Sequence, residues 1–470
     1  MRAPSVCAFA LAVAVRAVNA QTEQSASPAE PVRTYTLLGE DEDWSFLKDP
    51  LLREDPWDPL KYIPLGTDGW YLSIGGGMRQ ALEQVGNDNW GKQRYTNTFF
   101  LQRYVLHTDW HLGKHFRAYL ELKSGLESFR KGGPRPIDEK RLDFEEAFVE
   151  ASTGEGDRSV ALQVGRLELN YGSGRLVSVR EGPNVRQSFD GARLKSKVGP
   201  WRLDLWATRP DLDKLGFLNN VPDHRTSFWG VYATRPWRRR VSFDSYYLGL
   251  DRKSFTYNRG TAPENRQNLG IRLWQPPATK ESDWDFDYEA VWQFGSFGTD
   301  GIRAWTFASD TGYTFVSTPL QPRISVKADI SSGDDPRSHS LGTFSPIFPI
   351  GNYFGVLADT GPGPVNFIDV HPRVQTKLPR GVSVSADLVA QWRESLTDGV
   401  YAVPGFLIVP ANGSRARFVG YRPGVEVRWQ IDRHAWVQAD YGVFFAGEFL
   451  KQASPGRNIN YTEFWLGYKF

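Results

Sequence analysis

The feature that most constrains this chain is an alternation of apolar and polar residues with a period of two, which begins at Trp70 and continues to the C-terminus. In the run 284–294, aromatic residues and one alanine occupy every second position, and mostly acidic or amide residues fall between them. Similar runs occur at 116–123, 323–329, 382–391 and 435–445. A period of two is typical of β-strands with one apolar and one polar face, so we predict an all-β fold from residue 70 onward.

The links between these strand patterns alternate between short and long. Short turns are predicted near 113–115, 154–158, 198–200, 235–239, 276–282, 318–321, 379–381 and 432–433. Longer links are predicted near 86–95, 126–141, 166–188, 209–226, 252–265, 295–301, 331–366, 394–417 and 447–460. Eight short and nine long links join eighteen strands. Because outer-membrane barrels have short periplasmic turns, longer outer loops and an even strand number, we predict a transmembrane antiparallel β-barrel of about 18 strands with inward-folded loops. The proline-rich 331–366 link is expected to be an outer loop.

The N-terminus is typical of a secretory signal. Arg2 precedes a short apolar run, and the residues VNA ending at Ala20 form a small-residue cleavage site. The apolar run is too short to cross a bilayer as a helix. Cleavage after Ala20 removes Cys7, the only cysteine, so the exported chain needs no disulfide and fits a bacterial envelope. We predict a signal peptide, a periplasmic lead-in and an outer-membrane β-barrel at residues 1–20, 21–69 and 70–470, respectively.

The charge balance argues against a nucleic-acid partner. The chain has 56 Lys and Arg residues against 54 Asp and Glu, and removal of the signal takes away Arg2 and Arg16, which leaves a neutral exported chain. A nucleic-acid-binding protein is normally clearly basic. No apolar segment of helix length follows residue 20, so a membrane position requires a closed barrel. We therefore expect the barrel to lie in the bacterial outer membrane, surrounded by lipid and lipopolysaccharide.

The C-terminal segment 461–470 alternates strictly, with Phe464, Leu466, Tyr468 and Phe470 on one face. A terminal aromatic strand of this kind resembles the signal that the barrel assembly machinery reads. We expect that machinery to be a partner during biogenesis, and we expect deletion of Phe470 to impair assembly.

The sequence offers no convincing catalytic or metal-binding set. His107, His111 and His115 are spaced by four residues, but they fall on a strand and its turn rather than on a helix, so we predict no metal site. The acidic row within 283–289 has neighbours about 6.5–7 Å apart on one strand face, a spacing within the range of a glycosidase pair. An inward acidic stripe opposite inward arginines explains the row better. We predict no cofactor and no enzymatic activity.

Basic residues are numerous on the polar faces of the predicted strands. Charges on the lipid-facing side of a barrel are costly, so we predict that these residues face the bore. The planar fork of arginine suits carboxylate recognition there. The predicted inward set comprises Arg103, Arg117, Lys123, Arg193, Lys195, Arg202, Arg272, Arg323, Lys327, Arg373, Lys377, Arg393 and Arg428.

The stretch 165–194 is a long basic link that holds five arginines against three acids. Its glycines and Pro183 break regular structure. Two interpretations stay open. The link can fold inward as a positive constriction that selects anions, or it can be a surface loop whose arginines pair with its own acids. Lys195 and Arg202, on the strands that follow, are predicted to join its arginines in the pore.

Three stretches of the chain resemble the alginate-export family of outer-membrane proteins. They are DEDWSFLKDP with DPLKYIPL at 41–65, GGGMRQALE at 75–83, and the most specific one, GRLELNYGSGRLVSVREGPNVRQSFDGARL at 165–194. The resemblance extends from about Glu40 to Phe470. It implies an eighteen-stranded barrel with an electropositive, loop-narrowed pore for an anionic polysaccharide. By the third motif it implies pore positions at Arg166, Arg175, Arg180, Arg186 and Arg193.

The sequence therefore predicts an outer-membrane channel for export or diffusion of an anionic, alginate-like polysaccharide or of acidic sugars. Two alternatives stay open, a general or small-anion porin and a barrel enzyme that acts on lipid or glycan. Anion-selective conductance blocked by uronate oligomers favours the first hypothesis. Conductance that such oligomers leave unchanged favours the second, and hydrolysis without conductance favours the third.

Overall fold

A computed structural model of the chain describes residues 35–351 and 361–470. Within these ranges the chain forms a closed antiparallel barrel of 18 strands, as predicted. The predicted signal peptide and the first part of the predicted lead-in lie outside the described residues. Among the described helices, none has the length and apolar character needed to cross a membrane.

The barrel strands follow one another in chain order, and each pairs with its neighbours. The first strand also pairs with the last, which closes the barrel. The strands are β1 Trp70–Gly86, β2 Thr96–Leu112, β3 Phe116–Ser128, β4 Lys140–Glu155, β5 Arg158–Glu168, β6 Ser188–Val198, β7 Trp201–Leu212, β8 Thr226–Arg238, β9 Val241–Tyr257, β10 Gly260–Gln275, β11 Asp283–Phe297, β12 Asp300–Thr314, β13 Arg323–Ser331, β14 Phe367–Leu378, β15 Val382–Trp392, β16 Phe418–Gln430, β17 Ala435–Ala446 and β18 Ile459–Lys469.

The strand faces are inverted relative to those of a water-soluble protein, because apolar side chains cover the outside. On β11, the side chains of Trp284 and Trp292 are 58% and 47% exposed, whereas Asp285 and Glu289 on the opposite face are buried. The apolar outer face suits a hydrocarbon surround and the polar face lines the interior. The period-two pattern thus decides which residues reach the bore.

One end of the barrel carries links of at most eight residues, and all the longer links lie at the other end. Two predictions of long links were wrong, since 252–265 and 295–301 are mostly strand with two-residue turns at 258–259 and 298–299. β9 and β10 continue past the apolar band toward the turn at 258–259. There the exposed side chains of Thr256 and Thr261 form a hydrogen bond with each other. A strand that extends beyond the membrane into water needs no apolar face, so its sequence cannot be told from the sequence of a loop.

Three long links fold into the barrel rather than away from it. The link 169–187 between β5 and β6 pairs with the described part of the link 332–366, through Ser178 N donating to Phe348 O at 2.8 Å and Phe348 N donating to Leu176 O at 3.0 Å. The third link, 393–417, contacts the second through the Gly363 N to Tyr401 O hydrogen bond at 2.7 Å. The inward folding of the first link agrees with the fold predicted from the sequence.

The interior is packed most densely between these links and the wall from β6 to β12. A cluster of buried apolar residues fills this side, including Val177 from the first link, Trp206 and Phe228 from the wall, and Phe344 from the second link. Burial of apolar surface fixes the links against the wall by about 25 cal/mol per Å². A second cluster of buried apolar residues, which includes Val419, Phe444 and Ile459, packs the side of the last strands.

Residues 35–64 enter or cover the barrel from the short-turn end. Glu40 in this lead-in contacts Arg193, five residues from the end of β6, which is about 16 Å from the rim measured along the strand. Further down, Ile63 pairs with Leu72 of β1. Lys61 Nζ donates to the Phe470 carbonyl at 2.7 Å. The lead-in thus joins the rim, the closing strand and the middle of the bore.

Candidate functional site

The site is built around the inward link 169–187. Gly172 has a left-handed φ of +62°, and a Cβ at this position would meet the Tyr232 hydroxyl at 2.6 Å. Tyr171 N donates to Val177 O at 3.1 Å, which closes the turn between them. A glycine is therefore needed where the link approaches the wall most closely.

Aromatic stacking holds the start of the link against the wall. The ring of Tyr171 lies 4.5 Å from the Trp206 ring and 5.1 Å from the Tyr232 ring, measured between centroids. Its hydroxyl donates to Asp204 at 2.9 Å. Because both the ring and the hydroxyl are engaged, this part of the link is anchored rather than mobile.

Arg175 extends from the link to the acidic row of β11. Its Nη1 lies 3.3 Å from Asp287 and 3.1 Å from Glu289. Arg272 also bonds Asp287, at 2.8 Å, and Arg323 bonds Asp285. The acidic row therefore faces inward arginines, as predicted, and its carboxylates are engaged in ion pairs.

Arg186 lies at the other end of the link and is buried. Glu168 accepts two hydrogen bonds from its guanidinium, one of them at 2.7 Å, and the Leu37 carbonyl accepts a third at 3.2 Å. Glu181 lies 3.6 Å away. Arg186 thus connects the link, β5 and the lead-in.

Arg193 and Lys195 contact the lead-in from β6. Arg193 pairs with Glu40, and it also donates to Gln163 Oε1 at 2.7 Å. Lys195 lies 3.8 Å from both Glu40 and Glu150. Although burial acts to raise the pKa of Glu40, Arg193 and Lys195 lower it to about 2. The Glu40 carboxylate is therefore ionised, and it joins the lead-in to β6 inside the bore.

Arg166 lies away from these residues. It bonds Asp190 at 3.0 Å and lies 3.2 Å from Asp211. Along β5 it shares a face with Leu162 and Val164, both of which are exposed. This placement puts Arg166 on the outward face of the barrel near its long-loop end.

The last two predicted pore residues contribute less to this centre. Arg180 donates to Gln187 Oε1 at 2.6 Å within the link. Arg202 is exposed near the short-turn end of β7, opposite Lys197. The structure therefore brings together Arg186, Arg193 and Lys195, through the lead-in, but not Arg166 or Arg202.

A cavity of about 70 Å³ remains between the lead-in, the link and the wall of β1 and β2. Three arginines reach it, Arg79 from β1, Arg103 from β2 and Arg186 from the link, and all three surround Glu181. By its volume the cavity holds roughly five water molecules. We call Arg79, Arg103 and Arg186 the arginine triad.

Arg79 was missing from the residues that the sequence singled out. The signal was present, because Met78 and Leu82 are exposed outward residues and Arg79 falls between them on the inward face. Arg103 was predicted to face inward, and it does. Neither residue could be assigned to Glu181 from the sequence, because Glu181 lies in a link about eighty or more residues away.

A family model described as alginate export matches residues 70–463 of this chain. Among curated proteins, no sequence match was found.

Solved structures of outer-membrane porins share the fold at low identity. OccAB2 from Acinetobacter baumannii aligns with a TM-score of 0.60 and 10% identity, covering 85% of this chain and 98% of that one. OpdQ from Pseudomonas aeruginosa has a TM-score of 0.58 and 10% identity, covering 85% and 97%. OccK2 (OpdF) from the same organism, solved in complex with glucuronate, has a TM-score of 0.57 and 10% identity, covering 85% and 98%. At identities this low, these structural alignments establish that the fold is similar and nothing more.

Proposed function

The chain belongs to the alginate-export family, and on this premise we propose that its barrel passes an anionic polysaccharide or acidic sugars across the outer membrane. The family and the porin fold support an outer-membrane channel rather than an enzyme. The observation that carries the choice of an anionic substrate is the arginine triad at the cavity.

The triad differs from the other inward cations because its three guanidinium groups share a single loop carboxylate, Glu181. Arg272, Arg323 and Arg175 each have a carboxylate partner on β11. Within 4 Å, the three guanidinium groups of the triad share two carboxylates, Glu181 and Glu168, so these ion pairs leave one positive charge in excess. A positive lining between low-dielectric walls concentrates anions and repels cations. Guanidinium groups can also pair with both oxygens of a carboxylate.

The narrowness of the cavity favours acidic sugars as a second form of the proposal. A space for roughly five waters has about the volume of one sugar unit and is far smaller than a polymer. A single acidic sugar therefore needs less displacement of the link or the lead-in than a polymer does. The fold neighbour OccK2 was solved in complex with glucuronate, which makes this sugar acid a suitable probe.

The proposal is tested by conductance of the purified protein in planar lipid bilayers. We expect a reversal potential in a KCl gradient that indicates anion selectivity, and block of the current by glucuronate but not by glucose. Block by uronate oligomers would favour the polysaccharide, and block by the monomer alone would favour acidic sugars. Cation selectivity, or equal effects of glucuronate and glucose, would contradict both forms.

A small-anion porin and a barrel enzyme give different results in the same preparation. A porin without a sugar-acid site conducts chloride but is unaffected by glucuronate at millimolar concentration. A barrel enzyme releases products from lipid or glycan and shows no conductance. The barrel assembly machinery and lipopolysaccharide stay predicted partners, which cross-linking in growing cells can test.

A further inference from the structure

We propose that Glu181 is an internal ligand of the arginine triad, which a carboxylate from outside must displace before it can bind. The inference rests on the proposed function and deepens it, because it names the subsite and the group that competes for it. The resting channel is then partly blocked by its own loop.

Glu181 occupies the centre of the triad. One carboxylate oxygen contacts Arg103 and lies 3.9 Å from Arg79, and the other lies 3.6 Å from Arg186. The Glu181 side chain is 32% exposed, whereas the three arginines are nearly buried. Glu181 is therefore the member of the group that solvent and solutes can reach.

The triad is held in place by groups other than the Glu181 carboxylate. Arg79 donates to the carbonyls of Gly182 and Pro183 at 3.0 and 3.1 Å, and its guanidinium lies 4.3 Å from the centroid of the Trp465 ring. Arg186 is fixed by two hydrogen bonds to Glu168. These two arginines keep their positions when the Glu181 side chain rotates away, so the site is preformed for another carboxylate.

The Glu181 carboxylate accepts the Arg103 hydrogen bond through one oxygen only. Its Oε2 accepts no hydrogen bond from the described residues, although it is shielded from solvent. Arg180 beside it has a left-handed φ of +54°, and a Cβ on the adjacent Gly182 would meet no atom within 4 Å. The Glu181 side chain thus stands in a tight turn, beside the open space at Gly182.

Charge explains why only an anion can take its place. Removal of Glu181 from the triad leaves Arg103 without its carboxylate, and an unpaired buried charge is strongly unfavourable. An incoming carboxylate restores the pair, so the exchange replaces one ion pair by an equivalent one. A neutral sugar leaves Arg103 unpaired and cannot displace Glu181. Although burial acts to raise the pKa of Glu181, the three arginines lower it to about 2, so the internal ligand stays ionised.

The test compares Glu181→Gln with Glu426→Gln in planar bilayers, using glucuronate and glucose as probes. Glu426 is a matched control, because its side chain is also 32% exposed and it lies 3.7 Å from Arg373 in the bore, far along the chain from the triad. If Glu181 occupies the site nine-tenths of the time, its removal tightens glucuronate block by roughly tenfold. Glu426→Gln removes the same amount of negative charge from the bore as Glu181→Gln does. It is expected to alter the block by glucuronate by less than about threefold.

Two further variants keep the test decisive. Glu181→Ala should tighten the block as Glu181→Gln does, and Arg103→Gln should weaken it by roughly tenfold because the site itself is damaged. Heat-modifiable mobility on a gel verifies that each barrel is folded. If Glu181→Gln and Glu426→Gln give the same block, or if Arg103→Gln has no effect, Glu181 is not an internal ligand. That result leaves the proposed function intact as long as the wild type is anion-selective and blocked by glucuronate. A wild type that lacks both properties overturns the proposed function.

Discussion

Replacement of Glu40 by alanine is expected to release the lead-in from the bore. The Glu40 carboxylate pairs with buried Arg193 and accepts a hydrogen bond from Gln163 at 2.9 Å. Its backbone carbonyl accepts a further bond from Arg117 at 2.7 Å, which the substitution retains. The change therefore removes the ion pairs with Arg193 and Lys195 and the Gln163 hydrogen bond, and it retains the backbone contact with Arg117.

The size of the effect follows from the burial of the ion pair. Removal of one partner of a buried ion pair costs about 3–5 kcal/mol, because the other charge stays buried. Arg193 keeps Gln163 Oε1 and the Glu168 carbonyl, which favours the lower end of this range. The pKa of Glu40 is lowered by Arg193 and Lys195 despite its burial, which is the direction expected of a stabilising ion pair. A cost at the lower end of the range, about 3 kcal/mol, raises the open population of the lead-in roughly a hundredfold.

The assay is hydrogen exchange of the purified protein in lipid nanodiscs, followed by mass spectrometry of the peptide 38–47. The amides of Asp41 and Glu42 donate to Leu38 O and Gly39 O at 3.1 and 3.2 Å inside the barrel, so they report on opening. Both should exchange roughly a hundredfold faster in Glu40→Ala. Asp68→Asn is the control, since its ion pair with Lys48 lies on the surface with both side chains mostly exposed.

The reasoning is refuted if Glu40→Ala exchanges at the rate of the wild type or of Asp68→Asn while the barrel stays folded. The lead-in would then be held by its apolar contacts, such as those of Trp44, Leu47 and Tyr62, rather than by the buried ion pair.

Three further outcomes are expected. Because the pKa of Glu40 is lowered on folding, its contribution to the stability of the docked lead-in is complete above pH 4.5 and is lost as the pH falls through about 2. Pepsin cleavage within the lead-in should therefore increase over this range in the wild type. In Glu40→Ala the cleavage should depend less on pH. Arg186→Glu should shift the reversal potential toward cation selectivity by placing a negative charge at the cavity, whereas Arg166→Glu, on the outward face, should leave it unchanged. A cysteine that replaces exposed Ser338 in a long link should react with a membrane-impermeant maleimide in intact cells, and one that replaces Lys114 in a short turn should not. The reverse result would mean that the short turns, not the long links, face the outside of the cell.

Much of the architecture follows from local pattern. The side of a strand on which a residue lies is determined by its position in a period of two, so the inward placement of Arg103, Arg272 and Arg323 could be predicted without knowledge of the neighbouring strands. The strand number followed from turn residues, which also act locally. The two turns at 258–259 and 298–299 were missed because strand in water loses its apolar face.

The partners of the charged residues were decided only by the tertiary structure. Glu40 and Arg193 are 153 residues apart, and Arg79 and Pro183 are 104 apart, so no local pattern connects them. The placement of Arg166 also differs from the prediction. Arg166 belongs to the basic stretch by sequence, but it lies on the outward face because it continues the alternation of β5. An ion pair depends on the distance between two groups in space, and closure of the barrel sets that distance. Alternation therefore determines that arginines line the bore, and the folding of the links and the lead-in determines which of them meet at Glu181.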